Sequence, residues 1–61
     1  MTGNEMTSNE IRDLFTDNGF HVCKIRRWRD GQIDVVIPRS ENLEAATKIG
    51  SEYGLTVCRV M

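Results

Sequence analysis

The chain has 61 residues, a formal net charge of −1 and a hydrophobic fraction of 39%. That size allows one domain, and that composition excludes both a disordered chain and a polycation that seeks phosphate with its whole surface. No apolar run approaches the roughly 18–20 residues of a membrane span. The polar N-terminus lacks the apolar centre of a signal peptide, so a cytoplasmic location is expected.

Charge is unevenly spread. Residues 1–20 carry Glu5, Glu10, Asp13 and Asp17 against Arg12. Residues 21–40 carry Lys24, Arg26, Arg27, Arg29 and Arg39 against Asp30 and Asp34. The remainder carries Glu41, Glu44 and Glu52 against Lys48 and Arg59. A basic middle therefore lies between two acidic flanks.

Residues 1–6 read as a flexible tail and residues 7–61 as a single domain. Thr7 and Glu10 have the spacing of a capping box, and Met6 and Ile11 stand at the two positions of a hydrophobic staple. Ile11, Leu14 and Phe15 then share one helical face, while Arg12, Asp13 and Asp17 point outward. Asn18-Gly19 ends the helix. With Gly19 at C′, Phe20 at C″ can reach back to Phe15 in a Schellman cap.

Two strands follow, near 22–28 and 32–37, joined at Asp30-Gly31. A two-residue loop would set Arg26 and Lys24 on the same sheet face as Ile33, Val35 and Ile37. A three-residue loop, Arg29-Asp30-Gly31 with Gly31 left-handed, instead sets Ile25 opposite Val35, Cys23 opposite Ile37 and Arg26 opposite Asp34. Arg27 then lies beside Ile33 with its head able to reach water. A slip of one residue flips every side chain, so the clean apolar face selects the three-residue loop. The other face carries Lys24, Arg26, Trp28, Gln32, Asp34 and Val36.

Pro38 closes the second strand because it has no N–H to donate. Ser40 reads as the N-cap of a helix from Glu41 to Tyr53. Its inward face is Leu43, Ala46, Ile49 and Tyr53, flanked by Ala45 and Gly50. Gly54 reads as a second C′ glycine, with Leu55 packing back on Ile49. A last strand spans 55–61; its facing and its neighbour, the first strand or the second, stay open.

The predicted fold is α+β with element order α-β-β-α-β, a three-stranded sheet carrying two helices on one face. This layout resembles a ferredoxin-like fold that lacks its first strand. It leaves the second sheet face bare.

His21, Cys23 and Cys58 are the soft ligands, at most three and without a C-x-x-C pair, so no metal is expected. Both thiols are expected to act as small buried apolar groups within strands. Catalytic motifs are missing, and the single histidine lacks an obvious carboxylate or nucleophile partner. The expectation is no enzymatic activity and no cofactor.

The basic cluster Lys24, Arg26, Arg27, Trp28 and Arg29 is the candidate binding surface. Trp and Arg are enriched at protein–protein hot spots. Cations with an aromatic on an open sheet also describe modules that bind single-stranded nucleic acid. Asp13, Asp17, Glu41, Glu44 and Glu52 on the helices form a secondary acidic surface. In size and element order the chain is similar to small phage-encoded inhibitors, anti-CRISPR proteins among them. That similarity rests on no motif and carries over no site residue. It implies a partner in a host defence or transcription complex, in the host cytoplasm. The expected function is thus protein binding without catalysis; the alternative is a small nucleic-acid-binding module, and a homodimer is a third expectation.

Overall fold

A computed structural model describes residues 6–60. Residues 1–5 of the expected tail and Met61 of the expected last strand lie outside the described residues. The elements are α1 (Ser8–Asp17), β1 (Lys24–Arg27), β2 (Ile33–Ile37), α2 (Leu43–Ser51) and β3 (Thr56–Arg59).

Helix α1 starts and stops on its own local signals. The Thr7 hydroxyl accepts from the Glu10 N–H at 3.2 Å, and the Glu10 carboxylate accepts from the Thr7 N–H at 2.9 Å. Both orphan donors are satisfied by side chains. At the other end Gly19 has φ 85. There the Phe20 N–H donates to the Phe15 carbonyl at 2.9 Å and the Gly19 N–H to that of Thr16 at 3.0 Å. Those two bonds are the Schellman pair. Met6, expected to close the tail, is instead buried in the same cluster as Ile11 and Phe15, as its staple position requires. Burying a side chain such as Phe15 contributes about 1.5–3 kcal/mol, a large share of what a chain this short can muster.

The hairpin adopts the three-residue loop. Trp28 donates to the Gln32 carbonyl at 2.9 Å, and Gly31, with φ 91, donates to that of Trp28 at 3.1 Å. The Asp30 carboxylate accepts from the Gln32 N–H at 2.9 Å and stiffens the bend. The register pairs Ile25 with Val35, Arg26 with Asp34 and Arg27 with Ile33. Ile33, Val35 and Ile37 point into the core with α1, Ala46 of α2 and Leu55.

Strand β2 is central, in the order β1-β2-β3, with β1 antiparallel and β3 parallel to it. Its apolar run explains the choice. Val35, Val36 and Ile37 are consecutive, so the strand offers apolar side chains to both faces and is buried along most of its length. A charged strand such as β1 suits an edge.

Helix α2 departs from expectation at its start. The N-cap is Asn42, whose side chain accepts from the Ala45 N–H at 3.2 Å. Ser40 and Glu41 instead lie in a turn closed by the Glu41 N–H on the Pro38 carbonyl, 3.1 Å. Asn caps as well as Ser, and the Pro38 turn uses up the residues before it. The helix stops at Ser51 rather than Tyr53; Gly54 has φ 72 and the Leu55 N–H donates to the Gly50 carbonyl at 2.8 Å. Gly50 is buried on the inward face rather than beside it. A Cβ there would stand 2.7 Å from Val57 Cγ2, so the glycine is what lets α2 lie this close to β3.

Candidate functional site

Both helices pack against one face of the sheet. Along β1 and β2 the other face presents Lys24, Arg26, Trp28, Gln32, Asp34 and Val36, and β3 adds Thr56, Cys58 and Val60 by strand alternation. Its centre is an open depression of about 620 Å3 lined by Cys23, Lys24, Arg26, Val36, Cys58, Arg59 and Val60. Val36 is buried yet lies apart from the helix-covered core, so it forms the apolar floor. Lys24 and Arg26 supply a cationic rim; Arg59, at the margin of the lining, pairs with Ile37 and turns its Nη2 to the Glu41 carbonyl. A second, shallower depression at the hairpin tip is lined by Trp28, Arg29, Asp30 and Gln32.

Cys23 reaches this face through a backbone irregularity. Its N–H donates to the Val36 carbonyl at 2.7 Å, while Lys24 pairs with the same Val36. Two residues of one strand oppose one of the other, the arrangement of a β-bulge. The thiol expected opposite Ile37 in the core is therefore exposed, and Cys58 is half-buried; both are free. Cys23 and Cys58 flank Val36 from its two sides. Two strand spacings separate them by about 10 Å, beyond the roughly 7 Å that a disulfide spans.

The structure divides the expected basic cluster. Lys24 and Arg26 line the depression, and Arg29 stands at the tip. Arg27 belongs to the helix side. Its Nη2 donates to the Met6 carbonyl at 2.7 Å and ties β1 to the start of α1. Trp28 is 51% exposed, and its orientation is set by one bond: Nε1 donates to Asp34 Oδ2 at 2.8 Å. Asp34 Oδ1 accepts from Gln32 Nε2 at 2.9 Å. Arg26 stands opposite Asp34 in register as expected, but both Asp34 oxygens are engaged by Trp28 and Gln32 and the two side chains form no ion pair. The Gln32 and Trp28 bonds, aided by the charge of Arg26, hold the Asp34 carboxyl below the usual carboxylate range. Among the described residues no hydrogen bond or ion pair occupies the heads of Lys24, Arg26 or Arg29.

The acidic surface also changes. Asp13, Asp17, Glu44 and Glu52 are exposed on or beside their helices. Glu41 is neither helical nor exposed. Its Oε1 lies 2.8 Å from His21 Nδ1 and accepts from the His21 N–H at 3.3 Å. The histidine read as lacking a carboxylate partner thus has one, contributed by the turn after β2. The bond to the His21 ring, then that to its backbone N–H and its charge, lower the Glu41 carboxyl. Its neighbour Arg59 donates Nη2 to the Glu41 carbonyl at 3.2 Å.

Among the described residues no group of three or more His, Cys, Asp or Glu could hold a metal ion. Among the described residues no helix is long and apolar enough to cross a membrane. Sequence reasoning missed Cys23, Cys58, Arg59 and Val60 as parts of this face. The three consecutive apolar residues Val35-Val36-Ile37 were the available sign that one had to point away from the helices. Nothing in the sequence signalled the bulge.

Fold and face together define a small α+β domain with an open, cation-rimmed sheet surface. No protein family, curated protein or solved structure matches the chain.

Proposed function

We propose that the protein acts by binding another protein through the open sheet face, without catalysis. The observation that carries the reading is the depression itself: an apolar floor at Val36, Cys58 and Val60 beside a rim of Lys24 and Arg26. Such a surface suits a protein segment that presents an apolar side chain between carboxylates. The apolar floor supplies affinity and the rim steers and selects. Trp28 stands beside it, held in one orientation by Asp34, so little side-chain freedom remains to be lost on docking.

The nucleic-acid alternative is less well supported. Arg27 is tied to the backbone of Met6, and the Asp34 carboxylate sits against the indole on which a base would stack. A fixed negative charge at that place opposes phosphate. An inhibitor of the phage type, covering part of a host defence or transcription complex in the cytoplasm, is the narrower form of the protein-binding reading. Size and element order are its support.

The test attaches a photo-crosslinker to Cys23, at the rim, in the host cell extract. The protein captured should be the same in replicate preparations. Its recovery should fall steeply with Val36→Lys and with Arg26→Glu, each checked for retained fold by circular dichroism. Capture unaffected by both substitutions would refute the reading. Oligonucleotide binding that quenches Trp28 and weakens steeply with salt would favour the alternative.

A further inference from the structure

The two edges of the sheet are treated differently. Edge β1 carries Lys24, Arg26 and Arg27 and is distorted by the bulge at Cys23. Charges and bulges on an edge are devices that discourage another strand from pairing there. Edge β3 reads Thr56, Val57, Cys58, Arg59, and its one charged side chain is drawn away to the Glu41 carbonyl. Val60 beyond it is 38% exposed.

The backbone of β3 has a definite polarity. The Val60 N–H donates to the Ile37 carbonyl at 2.9 Å, so the even-numbered residues turn their peptide groups toward β2. Alternation then turns the N–H and C=O of Val57 and Arg59 outward. Among the described residues neither has a backbone partner on that side. Two outward residues spaced by two form a self-complementary template. In an antiparallel pair with a copy of itself, Val57 meets Arg59 and Arg59 meets Val57, which makes four hydrogen bonds around a two-fold axis. Among the described residues, any other register leaves outward groups of these two residues unmatched.

We propose that the chain forms a symmetric dimer by antiparallel pairing of β3 with β3 of a second copy, placing Cys58 opposite Cys58 of that copy. The axis is perpendicular to the sheet, so the result is one six-stranded sheet with all helices on one side. The second copy contributes its own Cys58 and Val60 to the open face, beside each depression. The residue between the two bonded pairs is a non-hydrogen-bonded pair, with Cα atoms about 4.5 Å apart. That spacing lies within disulfide range. The dimer stands whether or not the face also takes a foreign protein, because it is measured on the purified chain alone.

The experiment combines mass with crosslinking. Light scattering on the reduced protein should give twice the 7.0 kDa of one chain at high concentration and the single-chain mass on dilution. Diamide, accepting two protons and two electrons per disulfide, should convert Cys23→Ser to a covalent dimer and leave Cys58→Ser uncoupled. Arg59→Pro removes one outward N–H from each copy, two bonds in all, and should weaken the dimer by more than about tenfold. Arg59→Ala, which keeps the N–H, should dimerise as the native chain does. A single-chain mass at every concentration, absence of the Cys58 crosslink, or an Arg59→Pro dimer of native strength each overturns the proposal. Should Arg59→Pro fail to fold, mass and crosslink decide it.

Discussion

Gly50→Ala sets two physical effects against each other. Helix propensity favours the substitution, since glycine inside a helix costs about 1 kcal/mol relative to alanine. Packing opposes it. The new Cβ would stand 2.7 Å from Val57 Cγ2 and 3.1 Å from the Leu55 carbonyl oxygen. Overpacking of this kind costs about 1–3 kcal/mol, and the carbonyl is backbone held by the α2–β3 turn. The opposing term is the larger, so the variant should be destabilised by about 1 kcal/mol. In a domain of this size that lowers the melting temperature by about 4–8 °C. The side-chain share of the clash is separable. In a Val57→Ala background the 2.7 Å contact is absent, and Gly50→Ala should cost less there, with a coupling of at least about 0.5 kcal/mol. Thermal and urea unfolding of the four proteins closes the cycle. A Gly50→Ala protein as stable as the native one, or equal costs in both backgrounds, would refute the claim that α2 sits against β3 at van der Waals distance through this glycine.

Three further predictions follow from the turns and from the face. Gly31→Ala places a side chain at φ 91 and should cost about 1–2 kcal/mol, read as a lower urea midpoint. Thr7→Ala removes one half of the capping box and should cost about 1 kcal/mol; unchanged stability would mean that the Met6 and Ile11 staple suffices. Asp34 titrates below the usual range because its charged form accepts bonds from Gln32 and Trp28. Its contribution is therefore present above about pH 4, the unfolded value, and disappears as pH falls through the lower folded value. Trp28 is the single tryptophan, so its emission should report that step, and Asp34→Asn should abolish it; a step that persists in the variant assigns it elsewhere.

The amino-acid sequence by itself determined those features whose causes lie within a few residues. The capping box at Thr7, the left-handed glycines at 19, 31 and 54, and the three-residue bend all follow from local backbone needs. So does the hairpin register, since one choice gathers Ile25, Ile33, Val35 and Ile37 on one side. Tertiary structure decided what depends on distant segments. Whether β3 lies beside β1 or β2 turns on which strand has two apolar faces to bury. Glu41 left the helix for His21, twenty residues upstream. Arg27, next in sequence to Arg26 but opposite in facing, found the Met6 carbonyl, and Cys23 was carried to the open face by a bulge. Periodicity tells which residues of a segment share a side. Only the assembled core tells what lies across from them, because burial is a property of the whole packing.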